Sequence, residues 1–149
     1  MRIERSIELP ETPERVWPLL TDWERQASWM LDVGDVEVLT QAREGVGVRL
    51  SARTRVLGIP AFTDLLTVTE WSPPRRLRIE HRGLVLGSGV WSLDPAPGGT
   101  RFTWREEVSL SVPLVGGLML VGYRPVQRWL MGRALTAFRD HVVASVPPR

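Results

Sequence analysis

The chain opens on strict alternation. Ile3, Arg5, Ile7 and Leu9 fall on one side of residues 2–9, and Glu4, Ser6 and Glu8 on the other, which is the period of a strand. Pro10 ends it. Thr12-Pro13-Glu14 then supplies a hydroxyl N-cap, a proline at the first helical position and an acid in the first turn. Val16, Trp17 and Leu20 form the apolar face of this helix, and Pro18 keeps it short. Asp22 reads as a second N-cap, opening a helix to about Met30 that carries Trp23 and Trp29.

From there the period of two dominates. Residues 35–42 form a predicted strand, closed by the turn Arg43-Glu44-Gly45. Residues 47–57 alternate most cleanly, with Val48, Leu50, Ala52, Thr54 and Val56 against Arg49, Ser51, Arg53 and Arg55. Gly58-Ile59-Pro60 is a turn before a strand over 62–71, which Ser72-Pro73-Pro74 breaks. In residues 76–82, Leu77, Ile79 and His81 oppose Arg76, Arg78, Glu80 and Arg82. Residues 86–93 and 101–112 pair as a hairpin across Asp94–Gly99, a turn longer than two residues.

After Pro113, Leu114–Leu120 reads as a mobile or short helical approach to a long helix running from near Arg124-Pro125 to about Ala144. Its stripe is Val126, Trp129, Leu130, Leu135, Phe138 and Val142. The order is strand, two short helices, six strands and a long helix. Hairpin-length connections make the sheet antiparallel and the class α+β.

Composition narrows the chemistry. At 149 residues the chain is read as one domain, large enough for a core and a cavity. Cysteine is absent, which removes disulfides, thiolate metal sites and cysteine nucleophiles. All 19 basic residues are arginine, which removes Schiff-base lysine chemistry and the P-loop lysine. Net charge is only +2, so nucleic acid is not an expected partner. No cofactor fingerprint, nucleophile elbow or paired metal-ligand spacing occurs, and neither a metal nor a cofactor is expected. The N-terminus lacks the apolar core of a secretory signal. The most apolar run, Leu114 to Val121, is too short to span a bilayer. A cytoplasmic location is the expectation.

Three short motifs occur in a telling order: Glu14-Arg15-Val16-Trp17 with Asp22 and Trp29, then Ser72-Pro73-Pro74-Arg75-Arg76-Leu77, then Gly98-Gly99-Thr100-Arg101-Phe102-Thr103-Trp104. With the element order, they make the chain resemble the START-like (SRPBCC) helix-grip superfamily, and within it the polyketide cyclase/dehydrase type. The resemblance spans nearly all of residues 1–149. It implies a seven-stranded antiparallel sheet wrapped around the C-terminal helix, two short helices between strands 1 and 2, and an apolar cavity between sheet and helix.

Parity nominates the residues inside. Phe102, Trp104, Glu106, Val108 and Leu110 share one side of their strand, so Glu106 faces the helix if the two aromatics do. A carboxylate there is an acid–base candidate, or else it pairs with an arginine or is turned away by a bulge. His81 shares parity with Leu77 and Ile79, and is either a second catalytic candidate or a strand-end residue near solvent. Asp64 shares parity with Phe62, Leu66 and Val68, and is a cavity acid, a turn-proximal surface residue or a partner of Arg53 or Arg55. Tyr123 either donates its phenol to a ligand or caps the apolar approach. Trp29, Trp91, Trp104 and Trp129 lie on elements expected to wall the cavity, with Val48, Leu50, Leu66, Val68, Phe102 and Phe138. These ten are the predicted ligand-binding residues, although tryptophans also simply fill cores.

Three functions follow. The first is binding of a hydrophobic small molecule: a polyketide, a lipid or a polycyclic aromatic. The second is a polyketide cyclase/aromatase-like enzyme, with Glu106, His81 and Tyr123 moving protons in aldol cyclisation and dehydration. The third is an interaction module for lipid, quinone or protein. It would use the arginine-rich sheet face or the run Leu114–Tyr123, which reads equally as a gate, a packed connector or a weak membrane or protein contact.

Overall fold

The computed structural model describes residues 1–56, 58–111 and 115–145. Alternation builds the sheet: β1 (Arg2–Leu9), β2 (Val33–Val38), β3 (Arg49–Val56), β4 (Ile59–Ser72), β5 (Arg76–Arg82), β6 (Val85–Ala96) and β7 (Gly99–Leu110). They pair antiparallel in the order β1-β7-β6-β5-β4-β3-β2. Helix α1 (Pro13–Leu20) and a short 3₁₀ helix (Trp23–Ser28) fall between β1 and β2, and α2 (Gly116–Ser145) closes the chain. This is a helix-grip α+β fold.

Several boundaries differ from expectation, each for a local reason. The second short helix is 3₁₀, and Asp22 pairs with Arg25 at 3.3 Å instead of capping a backbone amide. β2 starts two residues early because the Asp32 carbonyl already accepts the Arg55 amide at 2.7 Å. It stops at Val38, and the Thr40 hydroxyl donates to the Ala42 carbonyl at 2.8 Å as the chain turns. The expected turn Gly58-Ile59-Pro60 is mostly strand: Val56 pairs with Ile59 and Arg55 with Pro60, and a register shift beside Thr54 takes up Ala61.

The β6–β7 turn is shorter than its Pro/Gly content implies. Asp94 pairs with Arg101, Pro95 with Thr100 and Ala96 with Gly99, leaving Pro97-Gly98 as a two-residue connection. Gly98 makes that possible at φ +83°, a backbone state other residues rarely adopt. Of the two readings of the approach segment the helical one holds from Gly116, and it is continuous with the long helix, since α2 begins there and runs through Pro125. Packing outweighs the glycines here, since Gly116 and Leu120 are both buried. Leu114, the first residue of the expected gate, and Val112, the expected end of β7, lie outside the described residues.

The outer face of the sheet is wet and charge-paired. Arg2 meets Glu107 at 3.3 Å, Arg101 meets Glu8 at 3.3 Å, Arg105 meets Glu4 at 2.7 Å and Arg76 meets Glu70 at 2.7 Å. Such exposed pairs set register more than they add stability. On the inner face, Leu9, Leu50, Val68, Leu77, Leu93 and Phe102 are buried in one core with residues of α1 and α2. Phe138 of α2 seats itself among aromatics, 4.8 Å from Trp29 and 5.5 Å from Phe102 between ring centroids. Because Phe138 is fully buried, Phe138→Ala is expected to cost about 3–5 kcal/mol. Val143→Ala on the exposed side of the same helix should stay within about 0.5 kcal/mol. Denaturant unfolding of both variants checks the pair.

Candidate functional site

The helix and the sheet do not close on each other everywhere. The buried residues of α2 are Gly116 and Leu120 near its start and Met131, Ala134, Leu135, Phe138 and Val142 further along. Between Leu120 and Met131 the inward positions Tyr123 and Gln127 look into open space. That space is a cavity of about 690 Å³, within the range of small-molecule sites. Leu66, Leu77, Ile79, Trp91 and Trp104 form its sheet wall, Val33, Val36, Ala52 and Val56 a side wall, and Met119 and Leu120 part of the helix wall.

A chain of polar groups crosses this apolar surface. His81 Nδ1 lies 2.5 Å from Asp64 Oδ2, and His81 Nε2 lies 3.3 Å from Glu106 Oε2. The Trp104 indole N–H donates to Glu106 Oε1 at 2.9 Å. Each contact follows from register. Leu66 pairs with His81, which makes Asp64 on β4 the diagonal neighbour of that histidine. Glu106 stands two strands from His81, across β6. The β6 residues between them on this face are Gly87, paired with His81 and Val108, and Gly89, paired with Ile79 and Glu106. With no side chains there, histidine and glutamate reach over β6 and meet. A Cβ on Gly89 would lie 2.8 Å from Glu106 Oε1.

Electrostatics fix the protonation of the histidine. Burial disfavours its charged form, but hydrogen bonds to Asp64 and Glu106, together with their charges, outweigh this and push it up to about 10. His81 is therefore an imidazolium with both N–H groups donating. Asp32 precedes β2 and borders the same cavity. Burial raises its carboxyl above the ordinary range, and the negative charge of Glu106 adds to that. Tyr123 is raised as well, by burial first and by the charge of Asp32 second. Among the described residues no group of three His, Cys, Asp or Glu has the arrangement of a metal site, and His81 commits both ring nitrogens to carboxylates.

Of the expected site residues, Glu106, His81 and Tyr123 border the cavity, as do Leu66, Trp91 and Trp104. Trp29, Val48, Leu50, Val68, Phe102 and Phe138 lie in the core and not among the lining residues. Trp129 is turned away: it is 58% exposed, with the Arg133 guanidinium 5.9 Å from its ring centroid. The cause is helical phase. Trp129 precedes Phe138 by 138 − 129 = 9 residues, about two and a half turns, so the two point in opposite directions. Sequence reasoning misses Asp32, which sits between elements, where no periodicity acts. The sequence signal for the polar chain is Gly87-Ser88-Gly89, two inward glycines on a strand.

The fold and an internal apolar cavity define a START-like helix-grip protein, and sequence comparison agrees. Residues 1–143 match the family described as polyketide cyclase / dehydrase and lipid transport, and the chain belongs to that family. Its cavity is thus one that takes a hydrophobic ligand. Among solved structures, TTHA0849 from Thermus thermophilus is 26% identical with a TM-score of 0.78 over 99% of both chains. A conserved protein from Geobacillus kaustophilus is 21% identical with a TM-score of 0.72 over 97% of both. The di-domain ARO/CYC BexL from the BE-7585A biosynthetic pathway is 15% identical with a TM-score of 0.75, over 99% of this chain and 51% of that one. Curated protein sequences give no match. No helix among the described residues is long and apolar enough to cross a membrane.

Two outcomes are expected from this geometry. In an NMR titration the His81 ring should stay charged through about pH 8 and titrate near 10. Since its folded pKa lies above the ordinary 6.5, the stability it contributes is full below 6.5 and is lost as pH rises through about 10. Wild type should therefore lose more thermal stability over that window than His81→Gln. Separately, Gly89→Val should displace Glu106 and shift the indole N–H resonance of Trp104. An unmoved resonance would show that Glu106 does not depend on the glycine.

Proposed function

We propose that this protein binds a hydrophobic small molecule of polyketide, acyl-chain or polycyclic type in the cavity between sheet and α2. The supporting observation is the cavity itself: about 690 Å³, walled mainly by aliphatic and indole side chains, with Asp32, Asp64, His81, Glu106, Tyr123 and Gln127 among its hydrogen-bonding groups. Apolar walls supply affinity, and a few convergent polar groups orient one end of the ligand. Trp91 and Trp104 border the cavity, so their emission reports occupancy. A neutral polycyclic or medium-chain probe should quench it saturably at micromolar levels. Absence of saturable quenching by any such probe would sink the proposal.

A second reading has its own observation, the hydrogen-bonded chain Asp64–His81–Glu106–Trp104 inside the cavity. An imidazolium beside a carboxylate is an acid–base pair. In a cyclase/aromatase-like reaction, Glu106 takes a proton from the methylene between two ligand carbonyls. The resulting enolate carbon bonds to a third carbonyl carbon, and that oxygen takes the proton from His81. Loss of the new hydroxyl as water, with a second α-proton, then gives the ring alkene. Asp64 would hold the imidazole in place and Trp104 the carboxylate. On this reading Glu106→Gln lowers cyclisation of a poly-β-ketone thioester by about 10²–10⁴-fold while affinity survives. Unchanged turnover would leave Glu106 a positioning group of a binding protein.

A further inference from the structure

The polar end of the cavity has more acceptors than donors. Three N–H groups serve Asp64 and Glu106: two from the His81 ring and one from Trp104. All three are used, on Asp64 Oδ2, Glu106 Oε2 and Glu106 Oε1. Asp64 Oδ1 is left with no hydrogen-bond partner, on a side chain only 9% exposed. Asp32 adds a third carboxylate to the same cavity. Among the described residues no cation stands within ion-pair distance of Asp32.

The other charges bordering the space do not correct this. Arg55 is exposed and lies against Gly34, and the Met1 ammonium donates to the Val108 carbonyl at 2.8 Å. Neither forms an ion pair with the three carboxylates. From α2, Gln127 hydrogen-bonds Asp32 and Tyr123 is an uncharged phenol, so neither brings a positive charge. The His81 imidazolium thus serves two carboxylates, Asp64 and Glu106, while the third, Asp32, has a neutral hydrogen-bond partner in Gln127 and a carboxyl that burial pushes toward its uncharged form.

We infer, on the reading that the cavity binds a hydrophobic small molecule, that its preferred ligands carry a protonated amine, received between Asp32 and Glu106. An ammonium supplies both missing items, N–H donors and a positive charge, while its apolar body rests on Trp91, Trp104 and the aliphatic walls. It also removes the repulsion between Asp32 and Glu106 that burial magnifies. A carboxylate in the same position meets like charge and is repelled, and an alcohol brings a single donor with no charge.

The test compares three ligands of one chain length, decylamine, decanol and decanoate, by calorimetry and by quenching of wild-type tryptophan emission near neutral pH. Decylamine should bind about tenfold or more tighter than decanol, and decanoate weakest. Asp32→Asn should bring decylamine down to the level of decanol and leave decanol unchanged. The ranking in wild type stands whether or not that variant folds. Decanol binding as tightly as decylamine, or an Asp32→Asn loss equal for both, overturns the amine preference and leaves the cavity reading intact. If none of the three binds, both fall together.

Discussion

The structure hangs on the aromatic seat that fixes one half of α2. Phe138 lies between Trp29 and Phe102, and Trp29 in turn meets Trp91 at 5.7 Å. Trp91 meets Trp104 at 5.9 Å in an edge-on arrangement. Offset and edge-on contacts of this kind add to the energy of burial and resist sliding. Held there, the C-terminal half of the helix cannot drift toward the sheet to fill the space under Tyr123 and Gln127. The cavity is therefore a consequence of where the helix is anchored. The same aromatic stack that forms the core ends, at Trp91 and Trp104, as the wall of the site.

Burying Asp64, His81 and Glu106 in that wall is tolerable only because each is paired. An isolated charge in such surroundings costs several kcal/mol, and a hydrogen-bonded pair recovers most of that. Trp104 completes the pairing on one side by donating to Glu106. Replacing one member strands its neighbours, so the chain behaves as a unit and single substitutions should not add. Gly87 and Gly89 are part of this unit even though they carry no polar side chain, because they clear the path across β6.

Alternation makes the strands and the inward set of residues readable, since a period of two is visible in one sequence. It places Glu106, His81 and Leu66 on the inner face, and they are there. It does not reveal that His81 and Glu106 meet, because that depends on which strands are neighbours and on the β5–β6–β7 register. In α2 the apolar stripe read from composition groups Trp129 with Phe138, although half-turn counting separates them. A tryptophan invites burial by its chemistry, and phase alone decides it. The core/cavity division is also illegible in sequence: Val48, Leu50 and Val68 share their faces with lining residues such as Ala52 and Leu66, and only distance along the strand separates packed positions from lining ones.

The inner and outer faces divide the labour. Outside, Arg2, Arg76, Arg101 and Arg105 pair with glutamates of neighbouring strands, so their charge is largely spent on the sheet itself. Inside, one imidazolium meets two carboxylates, Asp64 and Glu106, and Asp32 borders the same space without a cation of its own among the described residues. The family fold accounts for the apolar chamber, which needs only a sheet, a helix and an anchor at one end. It does not account for the excess of carboxylates, since an apolar ligand without a polar end has no use for them and burial penalises them. At Asp32 burial answers that penalty by raising the carboxyl toward its neutral form, and a cation entering the cavity would favour the ionised form instead. The polar chemistry of this cavity therefore lies in Asp32, Asp64, His81 and Glu106, and its ligand is best sought by the charge it brings to them.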